Sequence, residues 1–205
     1  MSPTMEEGRQ PSRGRRQRGR GQTLVEFALV LPLFMLVLTS IVEFGFLFNS
    51  FLAINFASRE ASLVAAEAGN LARADCLILD AVDRSVTVPS DRSLITKVQI
   101  FRADGIGNKT GEFTNYVRGG STTCALPGGT QLSVGYQVSG RPSYPAARRC
   151  NQLAGCTVLQ SGVDQIGVEV TYAYAWHTPL GNVFGGSGGT TILVKGNIMR
   201  MEPVL

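Results

Sequence analysis

Residues 21–48 read GQTLVEFALVLPLFMLVLTSIVEFGFLF, and everything else in the chain is organised around this stretch. No charge interrupts it from Phe27 to Val42. With Leu24, Val25 and the continuation FGFLF it supplies the roughly 20 apolar residues that a helix needs to cross a hydrocarbon core about 30 Å thick. A secretory signal has an apolar region of only about 7–15 residues before a small-residue cleavage site. The nearest such site, Ala66-Glu67-Ala68, is far downstream. The stretch is therefore predicted to be a transmembrane helix over residues 22–48. Charged residues make up 17% of the 205-residue chain, against about 25% in an average soluble domain, which fits one span plus one modest domain.

Upstream lies a basic leader, residues 1–21. It holds Arg9, Arg13, Arg15, Arg16, Arg18 and Arg20 against Glu6 and Glu7, a net charge of +4. That equals the net charge of the whole chain, so residues 22–205 are neutral. The basic balance says nothing about partners of the folded part. Low apolar content with Gly, Pro, Ser and Arg predicts disorder. An arginine-rich nucleic-acid arm is set aside because a span follows at once. A twin-arginine signal is set aside because the apolar stretch is long and the surrounding motif poor. Lys and Arg beside a span stay on the cytoplasmic side. The leader is thus predicted inside and the remaining C-terminal part, about 150 residues, outside.

Glu26 lies within the inner edge of the apolar run. A carboxylate at the centre of a span costs about 2.5–3.5 kcal/mol on insertion scales, less near an interface, so it calls for a partner. Arg20 is one candidate. A second arises if the chain is cut after Gly21, because Gln22 then carries a new α-ammonium group. Gln22 and Glu26 are i and i+4, one turn apart on one helix face. The pair can neutralise itself, or Glu26 can reach the amine of a neighbouring chain and set axial register.

Gly21 followed by QTLVEF looks like a prepilin peptidase site: Gly before the cut, Glu at the fifth mature position, then an apolar helix. The longer string over residues 19–68 resembles the TadE-like family of the tight-adherence (Tad/Flp) pilus systems. The matching features are the G-Q-x-L-V-E-F start, Leu31-Pro32, Val42-Glu43-Phe44-Gly45 and the Ala-Ser-Arg59-Glu60-Ala block. The terminal GNIMRMEPVL is a further, looser likeness. The resemblance implies a pseudopilin or minor pilus-assembly protein. Its implied partners are a prepilin peptidase, which recognises Glu26 and Phe27 and cuts between Gly21 and Gln22, other pilin-like subunits, and the Tad inner-membrane platform. It implies the bacterial cytoplasmic membrane, single-pass, and no catalysis by this chain. Phe27 after Glu26, where the short major pilin usually has Tyr, and the large outer part favour a minor or priming role. The alternative is an unprocessed, single-pass anchored binding module.

Pro32 removes one backbone hydrogen bond inside the span, either to ease extraction or to fit a neighbour's groove, or as a tolerated transmembrane proline. Glu43 is 17 residues beyond Glu26, about 25 Å along a helix, and is expected at the outer headgroups. Past the span the helix is expected to continue through FLFNSFLAINFASREASLVAAEA. Ala61, Ala65, Ala66 and Ala68 permit close packing, and Gly69-Asn70 is the stop. Residues 49–88 are thus a helical stalk and a second helix, about Leu71 to Ser85.

Residues 89–205 have strand texture. Strands are predicted at 94–102, 129–138, 164–176 and 189–201. The third is clearest, because Ile166, Val168, Val170, Tyr172, Tyr174 and Trp176 alternate with small or polar residues. ADGIGNKTGE (103–112) is read as turns, and GNVFGGSGG (181–189) as a mobile hairpin loop. The fold class is α+β: a long N-terminal helix continuing outward, a short second helix, and an antiparallel sheet of about four strands packed on the helix.

Cys76, Cys124, Cys150 and Cys156 all fall on the outer side, where disulfides form. The preferred pairing is Cys76–Cys124 and Cys150–Cys156, with free thiols as the other possibility. Zinc spacing is absent, and His177 is the lone histidine, expected in an exposed loop at a strand end. With no nucleophile elbow, Walker loop or metal-ligand cluster, no enzyme activity, cofactor, metal, nucleic acid or small-molecule substrate is expected.

Overall fold

The computed structural model describes residues 18–151, 162–179, 181 and 189–202, with side chains from residue 21 onward. Its elements are α1 (Arg18–Ala68), α2 (Ala74–Ser85), β1 (Ile95–Ala103), β2 (Lys109–Ala125), β3 (Gln131–Ser139), β4 (Gln165–Ala175) and β5 (Thr190–Arg200). The chain divides into two compact units, residues 1–42 and 43–205.

The described part of the first unit is the N-terminal portion of α1. Its apolar side chains are exposed on every side: Leu24, Val25, Phe27, Leu29, Val30, Leu33, Phe34 and Ile41 are each at least half exposed. A helix that is apolar all round needs a core or a bilayer around it, and none of its most apolar window is buried within the chain. One helix is thus long and apolar enough to cross a membrane. Gln22 to Val42 rises roughly 31 Å at about 1.5 Å per residue, close to the hydrocarbon thickness. The hydroxyls of Thr39 and Ser40 within it are satisfied locally. Thr39 Oγ1 donates to the Met35 carbonyl at 2.6 Å and Ser40 Oγ to that of Leu36 at 2.8 Å. Neither side chain therefore carries an unmet donor into lipid. Pro32 sits inside this helix without ending it.

In the second unit α1 has a buried stripe at helical spacing: Glu43, Ser50, Ile54, Ala57, Ser58, Ala61, Ser62, Ala65 and Ala66. Most of these side chains are small, so the helix axis lies close to the sheet. The contact is close enough for Ser62 Oγ to donate to the Asn197 carbonyl of β5 at 2.9 Å. The helix ends at Gly69, whose φ of +52° favours a residue without Cβ. A Cβ there would also lie 2.5 Å from the Asn151 side chain. α2 begins at Ala74, three residues later than the sequence suggests. Leu71 and Ala74 are spent in hydrogen-bonded turns that follow the glycine.

The sheet has the order β3-β2-β1-β4-β5, all neighbours antiparallel. One face carries Val98, Ile100, Tyr116, Val134, Tyr136, Ile166, Val168, Val170, Tyr172 and Tyr174, which join the α1 stripe and Cys76, Ile78, Leu79 and Val82 of α2 in one core. The layout is the expected α+β sheet on helix, with five strands instead of four.

The added strand, β2, begins at Lys109, inside the segment read as turns. Its alternation is broken by Gly119-Gly120, where the pairing with β3 shifts between Arg118 and Thr122. Gly119 has φ +107°, and a Cβ on Gly120 would lie 2.4 Å from Gln137. A glycine bulge of this kind breaks the period of two on which a sequence reading depends.

Candidate functional site

The residues that the sequence marks for processing and assembly lie at the start of α1. The Gly21–Gln22 bond lies within α1 (Arg18–Ala68), close to the first described residues. A Cβ on Gly21 would have nothing within 4 Å, so no packing inside the chain requires glycine at this position.

One turn on, Gln22 Nε2 donates to Glu26 Oε1 at 3.1 Å. The i, i+4 geometry anticipated for a Gln22 α-ammonium is thus occupied, in the uncut chain, by the side-chain amide of the same residue. Phe27, beside Glu26, is 62% exposed, so its ring is available to an external partner.

Glu43 is placed differently from the sequence expectation. Instead of facing headgroups, its side chain is fully buried in the second unit. Its Oε1 accepts from the Tyr174 hydroxyl at 2.7 Å and from the His177 backbone N–H at 3.0 Å. The His177 ring remains mostly exposed, with Nδ1 3.7 Å from the same oxygen. Glu43 therefore fastens the helix to the end of β4. His177 was expected in an exposed loop, and its backbone role escapes any reading of side-chain types.

Several other charged groups of the second unit form internal pairs. Arg102 bridges Glu112 at 2.9 Å and the buried Asp164 at 2.8 Å. Asp164 Oδ2 also accepts from the Tyr144 hydroxyl and the Cys150 N–H, each at 2.9 Å. Arg149 pairs with Asp75, which accepts from the Tyr116 hydroxyl at 2.6 Å. Arg118 joins Asp83 and Tyr136. Burial and the neighbouring carboxylates push the hydroxyls of Tyr116, Tyr136 and Tyr144 above the ordinary tyrosine value, so they act as donors at any physiological pH. Among the described residues no group of three or more His, Cys, Asp or Glu is placed to hold a metal.

A disulfide joins Cys76 of α2 to Cys124 of β2, so the short helix is tied to the sheet. Cys150 is also disulfide-bonded. The expected Cys150–Cys156 pairing involves Cys156, which lies outside the described residues, as does nearly all of the 181–189 loop.

The family model described as TadE-like protein matches residues 21–63. The match starts at the glycine of the junction, covers the apolar run and ends within the helix of the second unit; α2 and the sheet lie beyond it. No curated protein and no solved structure matches the chain.

Proposed function

We propose, from the TadE-like segment at residues 21–63, that this chain is a pseudopilin or minor assembly protein of a Tad-type (Flp) pilus, processed after Gly21. The observation that carries the reading is register. Gly21, Gln22 and Glu26 stand at the head of an apolar helix, with Gln22 and Glu26 in hydrogen-bonding contact one turn apart.

The physical consequences of a cut at this point support the reading. Six arginines precede it. Drawing each into the bilayer costs about 2.5–3.5 kcal/mol on insertion scales, so the leader holds the uncut chain at the inner face. Cleavage removes that lock and leaves a neutral chain. It also creates an α-ammonium within reach of Glu26, or of the Glu26 of a neighbour. In lipid, a subunit in the wrong register leaves both charges unpaired, which penalises misassembly. The second unit then stands on the far side of the membrane, where its disulfides are stable.

N-terminal sequencing of protein extracted from native membranes tests this. The expected mature terminus is Gln22, and a bulky replacement of Gly21 or loss of the peptidase should leave the basic leader attached. An intact leader in wild-type membranes would overturn the reading and favour an unprocessed anchored binding module.

A further inference from the structure

The second unit has an apolar cleft at the start of its helix. Phe44, Leu47, Phe48 and Phe51 of α1 and Leu193 of β5 enclose about 520 Å³, and no polar residue is among them. The four helical residues are spaced i, i+3, i+4 and i+7, so they share one face. Phe48 is 62% and Phe44 48% exposed. Two amphipathic side chains border them. The Trp176 ring meets that of Phe44 edge-on at 6.1 Å, with Nε1 donating to Thr191 Oγ1 at 2.8 Å. Lys195 Nζ lies 4.1 Å from the centre of the Phe51 ring.

Chain connectivity indicates what covers this surface. Phe44 is two peptide bonds from Val42, so it lies within about 8 Å of the last residue of the uncharged run. The span predicted over residues 22–48 therefore carries Phe44 and Phe48 at its outer end, with Phe51 less than one turn beyond. Aromatic rings and a lysine with its stem along apolar surface are the side chains that settle at that depth.

We propose that this cleft is seated in the outer leaflet of the bilayer that the preceding helix crosses. Acyl chains lie against Phe44, Leu47, Phe48, Phe51 and Leu193, and the Lys195 ammonium sits at phosphate level. The proposal rests on the membrane-anchor reading of residues 22–48 and extends it, since lipid here also reaches Phe51, Leu193 and Lys195 of the folded unit.

Trp176 is the sole tryptophan of the chain and reports on the cleft directly. The full-length protein is reconstituted into phosphatidylcholine–phosphatidylglycerol vesicles, with and without lipid brominated near the top of its acyl chains. Flotation is measured first, then Trp176 emission. The expected result is flotation together with a drop of about two-fold in emission on bromination, as for interfacial aromatic residues. Phe48→Asp, at an exposed position, should still float and should lose most of the quenching. Protein that floats but is quenched only by aqueous acrylamide overturns the cleft proposal and leaves the anchor standing. Emission shielded from both quenchers also overturns it, because a protein neighbour then covers the cleft. Failure to float overturns the anchor and the proposal together.

Discussion

Glu43 and Tyr174 are 131 residues apart in sequence and 2.7 Å apart in space, joined carboxylate to hydroxyl where almost no solvent reaches either side chain. Hydrogen bonds to a charged group contribute about 1.5–3 kcal/mol each, and Glu43 also receives the His177 N–H. Glu43→Ala is therefore expected to destabilise the folded unit by about 2–4 kcal/mol, seen as a Tm roughly 5–12 °C lower in detergent. Glu43→Gln keeps an acceptor oxygen and should lose about half as much or less. Equal losses in the two variants would show that the charge, and not the acceptor geometry, holds the helix.

The Cys76–Cys124 bond closes a sequence separation of 48 residues. Loop closure of that size stabilises by about 4 kcal/mol in the chain-entropy description, with about 2–4 typical in practice. The double change Cys76→Ala and Cys124→Ala should lower the urea midpoint accordingly. Cys76 is fully buried against the core, so alanine also leaves a small void. Comparing the double variant with each single one separates the two effects.

These positions also show what the sequence revealed and what it hid. β4 was legible because Ile166, Val168, Val170, Tyr172 and Tyr174 keep strict alternation, and all five are buried on one face. The Gly69 stop was legible because a positive φ selects glycine. β2 was not, because Gly119 and Gly120 place a bulge in its middle. Nor was the role of Glu43: periodicity reports local order, while its partners come from a strand end more than 130 residues away. Among the marked residues, Gln22 and Glu26 meet as their spacing requires, since i, i+4 contact is a property of the helix itself.

Two aspartates set an acid limit. Asp104 accepts from the N–H groups of Asn108 at 2.7 Å and Ile106 at 3.0 Å, which ties the β1–β2 turn. Asp91 accepts from the Ser93 hydroxyl at 2.6 Å and its N–H at 2.8 Å. The Asn108 N–H, foremost, holds Asp104 below the ordinary aspartate value, and the Ser93 hydroxyl does the same for Asp91. A depressed folded pKa gives stability that is fully present above the unfolded value, about 3.9, and lost as pH falls through the folded one. Asp91 is exposed and Asp104 partly exposed, so the effect is modest. The double variant Asp91→Asn and Asp104→Asn should be slightly less stable than the parent at pH 6. The gap should narrow below about pH 4, and urea titrations across that range measure it. A gap that stays constant down to pH 2 would remove these carboxylates from the acid response.

Glu26 separates assembly from anchoring. Its carboxylate lies near the N-terminal edge of the apolar run, and insertion opposes a charge within a span by up to about 2.5–3.5 kcal/mol. Glu26→Ala should therefore insert at least as well as the parent, and a membrane-fraction assay should find it undiminished. If the charge is kept because it meets the amine of a neighbour's Gln22, the same variant should lose site-specific crosslinks between Gln22-proximal positions of adjacent pilin-like subunits. Glu26→Gln can accept a hydrogen bond but not neutralise an ammonium, so it should resemble the alanine variant. Glu26→Asp retains the charge on a shorter arm and should restore part of the crosslinking. Mature N-termini are read in parallel, because a variant that keeps its leader has failed at the peptidase and not at assembly. Full crosslinking by Glu26→Ala after normal cleavage would leave the in-chain bond to Gln22, seen at 3.1 Å, as the only role for this carboxylate.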